Sequence, residues 1–340
     1  MPLRILAIQI QQPGDAILTT PALRCLINQG HEVHLLAQPL SAQLLAHFPG
    51  LHSIEAIPRS QLPRLTDFHR ALRYLTKKPF DRTYIFTQIN DRNLIWALLS
   101  RARERIAPRR DRIPPWIPRR AFTWIEKLPP SYHEVAQHLH IIGLSPSEAP
   151  KYRLEYYPPP TALEKAHHIL SQHKIQPHTH LHIHLTARWP SKCWPHFHMI
   201  ALLQMLQQKQ PHLPLFLTTG PAPHELDYAR KIITHFPNLP HAFGTLKVNE
   251  LGALIALSRA FFGMDSMPMH LAAALQIPGI ALFGKTNPHN FGPWQSPITV
   301  FTSDCSCNAS ASVNHLCRPH PLCLKNIHPQ KIAEKLISIY

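Results

Sequence analysis

Asp15 is the first side chain of this sequence whose position points to chemistry. It stands beside Gly14 in QIQQPGDAILTTPALRCL, between an apolar run typical of a buried strand and an amphipathic stretch typical of a helix. This predicts a carboxylate at a helix N-terminus, where negative charge is stabilised by about 0.3–1 kcal/mol. Two roles fit the position. One is an N-cap, for which aspartate is favoured, and the other is a general base that takes a proton from an attacking hydroxyl group.

A second stretch, GMDSMPMHLAAALQIPGIALFGKTNP, predicts an anion site. A strand ends at Met264, and Asp265 and Ser266 then open a helix. Free backbone N–H groups at such a helix end bind anions, including diphosphates. Ser266 is expected either to cap the helix or to donate to a phosphate. His270 lies one turn further on, where it either faces the same anion or has a structural role.

Two further strand ends carry polar residues. In HIHLTARWPSKCWP, a strand is followed by Thr186, Arg188 and Lys192. A hydroxyl group together with cations suits a bound phosphate. In LTTGPAPHELDYA, Gly220 ends a strand and Glu225 starts a helix. That glutamate is either an ordinary first-turn acid or a member of the same site.

The elements that must position these residues alternate between strand-like and helix-like runs. The predicted strands are 4–10, 31–37, 82–87, 180–185, 213–219, 260–264 and 279–283, and the predicted helices are 16–28, 93–101, 194–208, 224–235, 249–259, 268–275 and 331–340. Such alternation is typical of parallel sheets with crossover helices. Ligands of open α/β sheets bind beyond the carboxyl ends of the strands, which is where the polar stretches lie.

A proline-rich segment, YYPPP at 156–160, predicts a stiff linker between two domains. We expect an N-terminal domain over 1–155 and a C-terminal domain over 161–340, with a cleft between them. The last helix packs either within the C-terminal domain or back on the N-terminal domain. The sequence has no G-x-G-x-x-G, no P-loop motif and no D-x-D. Nicotinamide binding and a metal-bridged diphosphate are therefore not indicated, and we expect no metal and no cofactor.

The charge of the chain limits its partners. Lysine and arginine number 35 against 19 acidic residues, a net charge of +16. This suits a polyanion, whether nucleic acid, an anionic membrane face or a phosphorylated glycolipid, although a solvated basic surface is the alternative. Nucleic-acid-binding motifs are absent from the sequence, so we expect no nucleic-acid partner. No apolar run has the length of a membrane span, and no signal peptide is evident, which predicts a cytoplasmic protein.

Two segments keep more than one interpretation. The segment 101–120 holds eight arginines and two acids and is typical of a long loop with short elements rather than of a core element. With Trp116 and Trp124 nearby, it either seats on anionic lipid or acceptor phosphates or forms a solvated face. Its candidate acceptor-binding residues are Arg109, Arg110, Arg119 and Arg120. The second segment carries Cys305, Cys307, Cys317 and Cys323, whose spacing is not that of a standard zinc ribbon and which we expect to be reduced or metal-bound.

Taken together, the four polar stretches resemble the bacterial lipopolysaccharide heptosyltransferases. That family carries I-x-x-x-G-D-x-[IVL]-x-T-x-P-A-L, here IQQPGDAILTTPAL, and a K-x-W-P stretch, here SKCWP. It also carries N-D-S-G-P-M-H-L-A-A-A-L…P-x-x-A-L-F-G-x-T-x-P, here MDSMPMHLAAALQIPGIALFGKTNP. The resemblance covers nearly the whole chain in the right order. It implies an α/β GT-B fold, two Rossmann-like domains facing across a cleft, with the acceptor on the N-terminal side and the nucleotide sugar on the C-terminal side.

The resemblance also implies a reaction. It is a metal-independent, inverting transfer of a heptose from a nucleotide sugar, typically ADP-heptose, to the lipopolysaccharide inner core at the inner face of the inner membrane. In this reading Asp15 is the general base, and Lys192 binds the diphosphate. The other implied donor-side residues are Thr186, Arg188, Glu225 (near the ribose), Asp265, Ser266, Met267 and His270, and Gly14 joins the four arginines on the acceptor side.

Departures from the family pattern leave room for other hypotheses. Met264 replaces the pattern's asparagine, and Met267 replaces a glycine whose lack of a Cβ lets the backbone approach a phosphate. A second hypothesis is therefore a catalytically weak relative that binds a nucleotide sugar or glycolipid without turnover. A third, a nucleic-acid-binding protein, rests on charge alone.

Overall fold

The chain folds as two α/β units, each built on one parallel sheet. Its structure is a computed structural model that describes residues 1–58, 65–86, 90–110, 113–302 and 322–340. The units are Met1–Tyr157 and Pro158–Tyr340, so the division falls within the YYPPP segment. Each has a six-stranded sheet in which all strand pairs are parallel. The predicted α/β class is confirmed.

The sheet of the first unit has the order β3-β2-β1-β4-β5-β6. Its strands are β1 (Arg4–Gln9), β2 (Glu32–Ala37), β3 (Leu51–Ala56), β4 (Arg82–Ile85), β5 (Glu104–Pro108) and β6 (Thr123–Ile125), and its helices are α1 (Pro13–Asn28), α2 (Pro39–Leu45), α3 (Leu65–Thr76), α4 (Asp91–Leu99) and α5 (Glu134–Ile141). Strand β1 is buried from its second residue onward. Burial on both faces of a parallel sheet explains why its sequence is a continuous apolar run without alternation.

The sheet of the second unit has the order β12-β11-β10-β7-β8-β9. Its strands are β7 (Leu181–His184), β8 (Leu215–Thr219), β9 (His241–Phe243), β10 (Ala260–Met264), β11 (Gly279–Phe283) and β12 (Ile298–Thr302), and its helices are α6 (Pro160–Gln172), α7 (His196–Lys209), α8 (Pro223–Ile233), α9 (Val248–Ala256), α10 (Met267–Ala274), α11 (Pro288–Phe291), α12 (Leu322–Lys325) and α13 (Pro329–Ile337). Strands β8, β10 and β11 are fully buried.

The prediction that the arginine-rich segment contains no core element is wrong. Strand β5 pairs with β4 and β6, and Ile106 and Ala107 on it are buried. Arg105 donates from Nη1 to the carbonyl oxygen of Ala121 at 3.3 Å, and burial lowers its pKa. The strand is short and its neighbours in sequence are charged, so no apolar period marked it.

The last helix packs within the second unit. Helix α13 contacts α7 and β11, and Ile332, Ala333 and Leu336 are fully buried in the core of that unit. The Trp194 indole donates to the carbonyl oxygens of Leu324 and Ile327 at 3.1 and 3.2 Å, which ties the α12 end to the sheet. The apolar face of the helix is therefore used by its own unit.

Three histidines on β7 or beside it are buried as neutral rings. Burial lowers the pKa of His180 to about 4, that of His184 to about 3, and that of His182 well below its ordinary value. Thr218 Oγ1 lies 2.9 Å from His182 and 3.0 Å from His184. Neither ring nitrogen of His180 has a hydrogen-bond partner among the described residues. Charging these rings inside the sheet is costly.

Acid is therefore expected to destabilise the second unit. Below about pH 6.5 the unfolded chain binds more protons at these positions than the native chain, so stability falls as the pH drops toward the lowered pKa values. At pH 4.5 one such histidine costs about 2–3 kcal/mol of unfolding free energy. Urea unfolding at pH 7 and pH 4.5 measures the loss. His180→Leu should reduce it, whereas His212→Gln, at an exposed position of the same unit, should not. An equal pH dependence in all three proteins would contradict the assignment.

Candidate active site

Gly14 and Asp15 lie where the first sheet changes direction. The strand order reverses between β1 and β4, and such switch points form ligand crevices beyond the carboxyl ends of the strands. The loop after β1 enters α1, in which Asp15 is the third residue and partly exposed, while Gly14 is buried. Asp15 Oδ2 accepts from the Gln12 backbone N–H at 3.0 Å. The prediction that Asp15 is the N-cap is therefore wrong, because the N-cap is Gln12 and Asp15 is the third helical residue of a capping box. Its carboxylate has further acceptor capacity for a proton.

A buried polar cluster supports this turn of α1. The amide of Gln9 donates to Thr19 Oγ1 at 2.6 Å, and that hydroxyl donates to the carbonyl oxygen of Asp15 at 2.9 Å. His138 Nδ1 lies 3.2 Å from the carbonyl oxygen of Leu18 and 3.3 Å from Thr19 Oγ1. The cluster connects β1, α1 and α5 directly below the aspartate.

The buried His138 forms an ion pair with the partly exposed Glu134 that the sequence analysis missed. Its Nε2 lies 3.4 Å from Glu134 Oε1, one helical turn away. Burial opposes the charged imidazole, but the interaction with Glu134 outweighs it and raises the pKa of His138, with a further contribution from Asp15. The same interaction lowers the pKa of Glu134 against the opposing effect of burial. The signal was the Glu-x-x-x-His spacing in HEVAQH.

In the second unit, three predicted strand ends lie side by side. The order of this sheet reverses between β7 and β10, and β8 is the other neighbour of β7. Thr186 follows β7, and Asp265 follows β10. Glu225 is in the first turn of helix α8, which follows β8. The switch point of the second sheet thus brings together residues that are far apart in the sequence.

Lys192 and Asp265 form an ion pair at this switch point. Lys192 ends a 3-10 turn, Pro190–Lys192, and its Nζ contacts Asp265 Oδ2. The lysine side chain is 22% exposed and the aspartate side chain 7%. A nearly buried carboxylate is costly unless a cation accompanies it. The aspartate thereby holds a cation at the sheet edge.

Thr186 is engaged with Glu225 rather than presented to a phosphate. Its hydroxyl donates to Glu225 Oε1 at 2.7 Å, and both side chains are buried. Glu225 Oε2 accepts from the Ala222 backbone N–H at 3.4 Å. A Cβ on Gly220 would lie 2.4 Å from that oxygen, so the glycine makes room for the carboxylate. Thr186 therefore orients the carboxylate of Glu225, and its contact with a phosphate stays a prediction.

The N-terminus of α10 offers fewer donors than the sequence analysis assumed. Pro268 has no N–H, and the Met269 N–H donates to the carbonyl oxygen of Ser266 at 3.1 Å. The Ser266 hydroxyl donates to the carbonyl oxygen of Met264 at 3.2 Å and makes no capping bond. At most the backbone N–H groups of Ser266 and Met267 can reach an anion here.

The two methionines that depart from the family pattern have different surroundings. Met264 is fully buried in the core of the second unit, so its side chain belongs to packing. Met267 is partly exposed at the first position of α10. His270 is buried on the same helix. Arg188 is exposed and stacks over the ring of exposed Trp189, with 5.6 Å between the guanidinium carbon and the ring centre.

The arginine-rich segment lines a cavity in the first unit. The cavity has a volume of about 1470 Å³. Its lining includes Asp91, Arg109, Arg110, Trp116, Trp124, Glu126 and Lys127. Arg109 Nη1 contacts Glu126, and Arg110 Nη1 lies 2.8 Å from Asp91 Oδ1, so both cations already have acidic partners. Arg120 is exposed. The side chain of Arg119 and the residues Cys305, Cys307 and Cys317 lie outside the described residues, and Cys323 is buried.

Two doubly wound parallel units, each with polar residues at its switch point, are the architecture of the GT-B fold. The chain belongs to glycosyltransferase family 9 (heptosyltransferase), whose sequence model matches residues 128–319, more than half of the chain. It is thus an enzyme of the transferase class. The resemblance in the sequence motifs is confirmed at the level of the family.

Similar proteins carry heptosyltransferase names. Lipopolysaccharide heptosyltransferase 3 of Escherichia coli is 24% identical over 298 residues, 85% of each chain. A protein of the same name from E. coli K12 is 36% identical over 118 residues, 34% of each chain. Lipooligosaccharide heptosyltransferase 2 of Haemophilus influenzae is 33% identical over 116 residues, 33% of this chain and 32% of its own.

Solved structures of the family share the fold. A glycosyltransferase family 9 protein of Veillonella parvula has a TM-score of 0.82 at 17% identity, with 99% of this chain and 97% of that chain covered. The E. coli ADP-heptose lipopolysaccharide heptosyltransferase II has a TM-score of 0.75 at 17% identity over 99% and 98% of the two chains. The E. coli heptosyltransferase WaaC with ADP has a TM-score of 0.72 at 17% identity over 99% and 100%. Within the described part of this chain, no helix combines the length and apolar character needed to cross a bilayer.

Proposed function

We propose that this glycosyltransferase moves a heptose from ADP-heptose to the core of lipopolysaccharide. Support for the donor comes from the E. coli relative solved with ADP. Support for the acceptor comes from the E. coli lipopolysaccharide heptosyltransferase 3 that matches along 85% of the chain. The observation on this chain that carries the proposal is the Lys192–Asp265 pair at the β7–β10 switch point, beside the oriented carboxylate of Glu225.

The proposed chemistry is a single displacement with inversion. Asp15 takes the proton of an acceptor hydroxyl, whose oxygen forms the new bond to the anomeric carbon of the sugar. The bond from that carbon to the diphosphate oxygen breaks, and ADP leaves with the electron pair. Lys192 exchanges part of its interaction with Asp265 for the leaving diphosphate, and the backbone N–H groups of Ser266 and Met267 add to it. Fixed donors and cations stabilise such developing charge by several kcal/mol, so the proposed step requires no metal.

The other donor-side residues take supporting roles in this proposal. Glu225, held by Thr186, accepts hydrogen bonds from ribose hydroxyl groups. His270 stabilises the first turn of α10, and Arg188 lies at the outer edge of the donor site. On the acceptor side, Gly14 lets the acceptor approach Asp15. We further propose that the protein is cytoplasmic and makes peripheral contact with the inner face of the inner membrane through its arginines.

A donor screen tests the function. Thermal unfolding is measured with ADP-, UDP- and GDP-linked sugars, because a ligand that binds the native state stabilises it by mass action. ADP-heptose should raise the melting temperature the most, and ADP should then be released only when a heptose-deficient core acceptor is added. Stabilisation without acceptor-dependent ADP release would instead support the weak relative that binds without turnover, the hypothesis favoured by the side chain of Met267. No stabilisation by any ADP-sugar would contradict the proposal.

The cavity lined by the arginine-rich segment gives a separate prediction. Neutralising Arg109 and Arg110 by glutamine should weaken binding to anionic vesicles carrying the core glycolipid by roughly 10- to 30-fold, since each basic residue near such a surface contributes about 1 kcal/mol. ADP-sugar binding should not change. Arg230→Gln is the matched control, because Arg230 is an exposed arginine that contacts Asp227 in the second unit. Vesicle binding equal to wild type would assign Arg109 and Arg110 to a solvated face.

A further inference from the structure

A cluster of three potential metal ligands lies in the first unit, at the sheet edge opposite Asp15. Glu32 and His34 are on β2, and His52 is on the neighbouring strand β3. Their ligand atoms all lie within 4.8 Å of one another. Glu32 is the first residue of β2 and His52 the second of β3, so the cluster is at the amino edge of the first sheet. Asp15 follows the carboxyl end of β1, at the opposite edge.

The geometry fits a small divalent ion. Glu32 Oε1 lies 2.8 Å from His34 Nε2 and 3.8 Å from His52 Nε2. Donor atoms around a tetrahedral zinc ion, each about 2.0–2.1 Å from the metal, are roughly 3–3.5 Å apart. The three ligand atoms lie within 4.8 Å of one another, and rotation of the exposed His52 side chain would bring them to the spacing of a zinc site. Glu32 and His34 are two residues apart on one strand, so their side chains share a face of the sheet.

The buried ligand is already oriented from behind. His34 Nδ1 lies 2.7 Å from Ser53 Oγ and 3.1 Å from Tyr74 Oη, and these two hydroxyl groups are 2.6 Å apart. Metal-bound histidines commonly donate their second ring N–H to such a partner, which fixes the tautomer and the ring orientation. His34 Nε2 lies 2.8 Å from Glu32 Oε1, a carboxylate oxygen that can only accept, so in the structure Nε2–H donates to Glu32. A bound metal would replace that proton at Nε2, with Nδ1–H then donated to the hydroxyl group of Ser53 or Tyr74.

Arg4 is the competing cation. Its Nε donates to Glu32 Oε1 at 2.9 Å. The same guanidinium donates to the carbonyl oxygen of Lys78 at 2.5 Å and stacks over Phe80, with 4.2 Å from its central carbon to the ring centre. Arg4 keeps these partners when Glu32 turns toward a metal. Its charge weakens the site without filling it, which places the expected affinity in the micromolar range rather than that of a closed structural zinc site.

We propose that Glu32, His34 and His52 form a binding site for Zn²⁺ or a similar divalent transition metal, with water as the fourth ligand. Two imidazole nitrogens and one carboxylate oxygen are a donor set that zinc accepts. The site joins β2 to β3, so the metal stabilises the edge of the first sheet and takes no part in sugar transfer. The proposal is independent of the donor and acceptor assignments.

The test compares zinc binding by the wild-type protein and by variants. A comparison is needed because the full chain has 26 histidines and 6 cysteines that give background binding. The reduced, metal-free protein is titrated with Zn²⁺ against a chromophoric chelator. His52→Ala removes a ligand at an exposed position and should leave the fold intact. His47→Ala, an exposed histidine of the same unit, is the matched control. One micromolar site should be present in wild type and His47→Ala and at least ~10-fold weaker in His52→Ala, since even losing a supporting partner costs 10- to 100-fold.

Two further measurements make the result specific. Glu32→Gln should weaken zinc binding at the same site without changing the background binding by the other histidines and cysteines. Anomalous diffraction at the zinc edge from soaked crystals should show a peak between His34 Nε2, His52 Nε2 and the Glu32 carboxylate. Equal titrations of His52→Ala and wild type, or zinc density elsewhere with none at this position, would overturn the proposal and leave the cluster as a hydrogen-bonded network.

Discussion

Asp15→Asn should lower the rate of heptose transfer at least ~100-fold, the usual contribution of a general base. The amide can still accept the Gln12 N–H with its oxygen, so the capping bond seen in the structure is retained and helix α1 keeps its start. Donor affinity should be nearly unchanged, because only proton removal from the acceptor is affected. Initial rates with saturating donor and acceptor, together with donor titration, measure the two effects separately.

A matched aspartate controls for helix capping. Asp67 is also a first-turn acid, in helix α3 of the same unit, and Asp67→Asn should leave transfer unchanged. If Asp15→Asn transfers heptose close to the wild-type rate, Asp15 is a capping residue and another group must accept the proton.

Lys192→Ala should weaken donor binding and transfer together. A charge-assisted contact to the diphosphate contributes about 1.5–3 kcal/mol, which corresponds to roughly 10- to 150-fold in affinity. The substitution also leaves Asp265 nearly buried without its cation, so some loss of stability is expected. Lys192→Ala combined with Asp265→Asn removes that unpaired charge and should recover stability without recovering donor affinity. Calorimetric titration with ADP and urea unfolding of both variants measure the difference.

Lys165 gives the control for this experiment. Its Nζ lies 2.7 Å from Glu250 Oε1, and that carboxylate side chain is only 8% exposed. Lys165→Ala therefore leaves a comparable buried carboxylate, that of Glu250, without its cation in the same unit and away from the switch point. It should lower stability and leave ADP affinity unchanged. Equal ADP affinity in Lys192→Ala and wild type would reduce Lys192 to a partner of Asp265.

The structure sharpens the role of several residues that were chosen from motifs. Thr186 was expected to contact a phosphate, yet its hydroxyl is donated to Glu225. The end of α10 was expected to present a row of N–H groups, yet Pro268 and the turn at Met269 remove two of them. In both cases the motif indicated the sheet edge, whereas the hydrogen-bond partners within the chain depend on neighbouring strands and turns and could not be predicted from it.

Much of the fold could be predicted from the sequence because its determinants are local. Continuous apolar runs such as 4–10 and 260–264 predict buried parallel strands, and both are present as β1 and β10. Short or charged strands could not be predicted. Strand β5 lies among arginines, and its burial comes from its neighbours β4 and β6 rather than from its own pattern.

The sequence alone determined the class of the protein and the strand ends that carry its chemistry. A strand, a tight loop and a helix are encoded within about twenty residues, so Asp15, Lys192 and Asp265 could each be placed at a helix or loop following a strand. The tertiary structure alone decided which of these ends are neighbours. Strands β7 and β10 are adjacent although β8 and β9 come between them in the chain, and this adjacency creates the Lys192–Asp265 pair. The same holds for His138 beneath Asp15 and for the Glu32–His34–His52 cluster, because contacts between distant segments depend on strand order and packing.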